Sequence, residues 1–95
     1  MGLIIQSHEL RRRILEALAQ LKDFIPNINR KSKDEIDGKQ DRILEMLSCD
    51  SRSRLVSKDR AKVQHVYFEI DYKTRAQISI HFPKVDQILT DKIFH

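Results

Sequence analysis

The sequence predicts an α+β fold: two N-terminal amphipathic helices, an antiparallel β-hairpin or three-stranded sheet, and a C-terminal helix. Three features predict it. Apolar residues recur at helical spacing through the first half of the chain, alternate with polar ones between His65 and Phe82, and return to helical spacing after Pro83.

The first helix is expected over about 8 to 24, with Ser7 as its N-cap. Leu10, Ile14, Ala17, Leu18, Leu21 and Ile25 form its apolar face, and Glu9, Arg12, Arg13, Glu16, Gln20 and Asp23 fill the other side. Pro26 and Asn27 stop it, and "PNINRKSK" reads as a polar connector. Ser32 and Glu35 then make a capping box for a second helix, about 33 to 48, lined by Ile36, Ile43, Leu44 and Leu47 with Met46 at the edge. Gly38 costs this helix up to ~1 kcal/mol relative to Ala, so it depends on packing against the first.

In "VQHVYFEIDYKTRAQISIHF" the period becomes two. Val66, Phe68 and Ile70 alternate with His65, Tyr67 and Glu69, and Ile78, Ile80 and Phe82 alternate with Gln77, Ser79 and His81. Two strands joined by the turn "DYKTRA" are expected, with Phe68 opposite Ile78 and Val66 opposite Ile80 on one buried face. A bare two-stranded ribbon is marginal, so helices cover it or a third strand joins it. The sources for that strand are "LII" at 3 to 5 and residues 52 to 60, the latter otherwise a charged loop. Pro83 begins the last helix, with Val85, Ile88, Leu89, Lys92 and Ile93 on its inner face.

Length and composition bound the function. The chain of 95 residues suits a single small α+β domain over 1 to 95. Charged residues make up 34%, against roughly 25% in an average globular domain, so the surface is dense in ions. The net charge of +4 favours anionic partners without requiring them. The single cysteine, Cys49, excludes an internal disulfide and reads as an inert thiol in a reducing cytoplasm, since no histidine is local to it as a base. Three consecutive apolar residues, Leu3 to Ile5, are too few for a signal peptide or a membrane span.

Two constellations carry chemistry. If residues 51 to 62 are extended, Arg52, Arg54, Lys58, Arg60 and Lys62 point the same way, and Arg75 in the hairpin turn extends the patch. Such a stripe suits a phosphate backbone, and equally suits the guarding of an edge strand. The polar face of the hairpin sets His65 opposite His81, Tyr67 opposite Ser79 and Glu69 opposite Gln77. That set suits acid–base attack on a ribose hydroxyl, although the outer face of any antiparallel sheet is polar for structural reasons. The same histidines lack a third ligand for zinc, and His8 and His95 suggest no role. "RRR" at 11 to 13 fans over about 200° of helix surface and cannot face one partner. With only Gly2 and Gly38, the chain has no glycine-rich phosphate loop, and it shows no serine nucleophile motif and calls for no cofactor.

The element order resembles that of the small RelE-like toxin endonucleases, in which helices precede a sheet carrying basic and acid–base residues. That resemblance is one of topology and transfers no active site. The leading expectation is a non-catalytic domain of the cytoplasm that binds nucleic acid through phosphate. The alternatives are a protein-interaction module acting by homodimerisation or partner binding, and a metal-independent ribonuclease of toxin type using His65, His81, Tyr67 and Glu69.

Overall fold

A computed structural model describes residues 3–95, and among them every regular element is helical. The order is α1 (Ser7–Phe24), a 3₁₀ segment (Ile25–Arg30), α2 (Lys33–Met46), α3 (Ser57–Glu69), α4 (Tyr72–His81) and α5 (Pro83–Phe94). The α+β expectation is therefore wrong, and the topological resemblance to RelE-like endonucleases goes with it.

The outer helices form where their periodicity places them. In α1, Leu10, Ile14, Ala17, Leu18 and Leu21 are buried, and burial of each large side chain contributes ~1.5–3 kcal/mol. Gln6, not Ser7, occupies the N-cap position. The Ser7 hydroxyl is engaged elsewhere: it donates to Asp59 Oδ2 at 2.6 Å and accepts from the Val56 N–H at 2.9 Å. The connector after α1 tightens into the 3₁₀ segment, which buries Ile25 and Ile28. The Ser32–Glu35 capping box opens α2 with both reciprocal hydrogen bonds made. In α2 Ile43 is buried, and Leu47, at the C-cap, is buried as well. Pro83 is the first residue of α5, whose Val85, Leu89, Lys92 and Ile93 face inward.

Both expected strands are helices. Asp59, Val63, Val66, Tyr67 and Ile70 follow an i, i+4, i+7, i+8, i+11 pattern, and Asp59, Val63 and Ile70 are buried while Val66 and Tyr67 are half-buried. The charge of Asp59 and the phenol of Tyr67 conceal that stripe from a hydrophobicity count. Phe68, expected in the core, is 58% exposed, and Ile80, expected beside Ile78 and Phe82, is 64% exposed. Ile78 and Phe82 are wholly buried, four residues apart on the same helical side. The stretch expected to be the hairpin turn begins α4 instead: the Asp71 carboxylate accepts the Thr74 N–H at 2.7 Å as an N-cap.

Neither source of a third strand forms one. Residues 3–6 and 50–56 do lie together, through Asp50 N–H to Leu3 O at 2.8 Å and Ile5 N–H to Ser53 Oγ at 2.9 Å. One of those acceptors is a side chain, so no ladder develops. Helix α1 packs chiefly on α3 and α4 on α5, while α5 also meets α2 and α3. One hydrophobic cluster runs through all of them, with Phe82 at the α4–α5 joint set against Phe24, ring centroids 6.0 Å apart.

Candidate functional site

A helix at 57–69 disperses the basic stripe, because alternate residues that share a side of a strand are 200° apart on a helix. Only Lys58 and Lys62 of the set, one turn apart, share the outer side of α3, and both are exposed. Arg52 folds back on Asp50, its Nε 3.0 Å from Oδ1 and its Nη2 3.2 Å from Oδ2, and these bonds hold the Asp50 carboxyl below its ordinary range. Arg54 Nη1 donates to His95 O at 3.2 Å. Arg60 is half-buried and donates to Leu55 O at 3.1 Å. Arg75 bonds Phe68 O at 3.3 Å and also Ile70 O, closing the C-terminus of α3, a place where carbonyls and helix dipole both favour a cation. Four of the six expected phosphate ligands, Arg52, Arg54, Arg60 and Arg75, are thus committed to their own chain.

The acid–base set is not assembled either. His65 and Glu69 lie on α3, one turn apart, with Nε2 to Oε1 at 3.5 Å. His81 lies on α4 and bonds Gln77 Oε1 at 2.8 Å. Tyr67 points inward, where burial first and then the charge of Asp86 push its phenol up from the ordinary value. What brought these residues opposite one another was the hairpin, which does not form.

In its place α3 and α5 assemble a feature that the sequence reading missed. Tyr67 meets Phe68 and Phe94 edge-on, with ring centroids 5.3 Å and 5.5 Å apart, and Phe68 and Phe94 lie tilted against each other at 5.7 Å. The Arg75 guanidinium lies 5.3 Å from the centre of Phe68 and 5.6 Å from that of Tyr67. Each such contact contributes ~0.5–1.5 kcal/mol, so the rings are held in place before any partner arrives. Phe68 and Phe94 nevertheless leave 58% and 40% of their surface in water. The helical stripe from Asp59 to Ile70 is the signal that would have found this patch, since it leaves Phe68 off the buried side.

A separate network anchors α3 to α1. Asp59 accepts from Ser7 Oγ and, at 2.9 Å, from Arg11 Nη1, and its carboxyl is lowered first by the Ser7 hydroxyl. An acidic residue in the first turn of a helix is the readable sign of Asp59's place. Arg12 and Arg13 both bond Glu9, so the "RRR" cluster is neutralised within α1 and against Asp59.

A cleft of about 520 Å³ opens between the end of α2 and α5 and is lined by Leu44, Leu47, Cys49, Ile88 and Lys92 among others. Its buried cation is already satisfied: Lys92 Nζ donates to Ser53 O at 2.8 Å and Ser51 O at 3.5 Å. The cleft therefore has an apolar wall, with Ser48, Ser51, Gln87 and Asp91 completing its lining. Among the described residues no cluster of three or more His, Cys, Asp or Glu side chains could hold a metal ion, and no helix is long and apolar enough to cross a membrane. No protein-family model, curated protein or solved structure matches the chain.

Proposed function

We propose that this protein is a non-catalytic protein-interaction module that docks through the Phe68–Phe94 patch, with Lys58 and Lys62 at its rim. The observation that carries this reading is the exposed, edge-packed aromatic cluster braced by Arg75. Aromatic residues and arginine are enriched where binding energy concentrates in protein interfaces, and lysine is typical of the rim. Rings already fixed by their neighbours lose little further freedom on binding. The phosphate-binding reading keeps only Lys58 and Lys62 side by side, and two point charges give weak, strongly salt-dependent contact. The ribonuclease reading has lost the pairing on which it rested.

The test is a selection of randomised displayed peptides on the native chain and on the Phe68→Ser/Phe94→Ser variant, beside a salt titration with labelled single-stranded RNA. Peptides with an apolar anchor are expected to be captured by the native chain and lost by the variant. Absence of captured peptides, together with RNA binding that survives the variant and vanishes on Lys58→Ser/Lys62→Ser, would overturn the proposal in favour of phosphate binding.

A further inference from the structure

The outer side of α3 carries an ordered pattern that suits one occupant in particular. Ser57, Ala61, Gln64 and Phe68 recur at spacings of four, three and four, which is the seam of a helix pair. Ser57, Ala61 and Phe68 are exposed, and half-buried Gln64 bonds Ile93 O at 2.9 Å, so the seam runs beside the end of α5 and Phe94. Small side chains occupy its N-terminal half and the large ring its C-terminal end. Along the adjoining flank lie exposed Lys58, Lys62, His65 and Glu69, with both lysines in the first half and the acid at the end.

We infer that this face binds a second copy of the chain, with the two α3 helices antiparallel about a two-fold axis that passes between Gln64 and His65. The inference rests on the docking reading above and names its partner. In that register Phe68 of each copy lies over Ala61 of the other, so the large ring meets a small side chain at both ends. Glu69 of the second copy falls level with Arg60, between Lys58 and Lys62, and two-fold symmetry repeats the contact. A parallel pairing would instead set Phe68 against Phe68 and Ala61 against Ala61, and would place the two charged flanks on opposite sides of the pair, where Glu69 meets neither lysine. Charge order and side-chain size thus select the same orientation. The helix is only ~20 Å long, so the interface is small, below roughly 1,200 Å², and the dimer exchanges with monomer at micromolar concentrations.

The experiment combines sedimentation velocity over a concentration series with cysteine cross-linking in a Cys49→Ser background. His65→Cys, beside the axis, is expected to form a disulfide dimer under mild oxidation. Lys58→Cys is expected not to, because its two copies stand ~20 Å apart. Glu69→Lys, and separately Lys58→Glu/Lys62→Glu, should each weaken dimerisation about tenfold or more, and the triple swap should restore it. Circular dichroism of each variant establishes that helicity is retained. Cross-linking through Lys58→Cys, or failure of the triple swap to restore what the partial swaps lose, overturns the antiparallel register. A chain that stays monomeric while displayed peptides still bind Phe68 and Phe94 overturns the second copy alone. If it stays monomeric and captures no peptide, the docking reading falls as well.

Discussion

Ile78 and Ile80 separate a helix at 72–81 from a strand more sharply than any other pair of residues. In a strand both would face the same buried side; in α4 Ile78 is wholly buried and Ile80 is 64% exposed. Ile78→Ala removes three carbons from the core, worth ~0.8 kcal/mol each by transfer, or ~2.4 kcal/mol together. Incomplete collapse of the resulting cavity adds to this, so a total of ~3–4 kcal/mol is expected. For a domain of this size that lowers Tm by roughly 12–30 °C. Ile80→Ala loses about a third of the same transfer energy, below ~1 kcal/mol, and regains a few tenths from the better helix propensity of alanine. Its net effect is expected within ~0.5 kcal/mol of zero. Urea denaturation followed by far-UV circular dichroism measures both. Equal destabilisation by the two substitutions, with a native spectrum of β type, would refute the helical assignment.

Other consequences are open to the same methods. Ser32→Ala removes the capping box of α2, where Ser32 Oγ accepts the Glu35 N–H at 3.1 Å, and should cost about 1 kcal/mol in urea denaturation. Gly38→Ala should stabilise by ~0.5–1 kcal/mol, since the glycine is helical and an added Cβ meets nothing within 4 Å; loss of stability would mean that α2 packs differently. Acid should unfold the protein progressively. Hydrogen bonds from Arg12 and Arg13 hold the Glu9 carboxyl at about 2, against a usual 4.5, and Asp50, Asp59 and Asp71 are also lowered, chiefly by bonds from Arg52, Ser7 and Thr74. Each is depressed in the fold, so its contribution is complete above its unfolded value and disappears as pH falls through the folded one. Tm should therefore decline from about pH 4.5 down to about 2, and Glu9→Gln should flatten the lowest part of that slope. Asp86, raised by burial, runs the other way and offsets part of the decline. A Tm unchanged across that range would contradict these pairings.

Helices α1, α2 and α5 were legible in the sequence because their apolar residues repeat over several turns and carry boundary signals: the Ser32–Glu35 box and Pro83. Segments 57–69 and 72–81 were not. Their inward sides include buried Asp59 and half-buried Tyr67, Thr74 and Gln77, which a count of apolar residues passes over, while Val66, Phe68 and Ile70 imitate a period of two. The Asp71–Thr74 cap was the overlooked evidence for α4. The candidate site followed the same division. A reading by strand period put Phe68 in the core and the basic residues on one face, and a helical period reverses both placements.

What the sequence by itself determined is local: where amphipathic helices start and stop, how dense the surface is in charge, and which chemistries lack their residues. The identity of 57–81 was decided by tertiary packing. Asp59 can be buried only because Ser7 and Arg11 of α1 meet its charge, and Arg75 can close α3 only because α4 turns back beside it. Those partners are remote in sequence or separated by a bend, and a short stretch whose own preferences are balanced takes the conformation in which its polar groups find such partners.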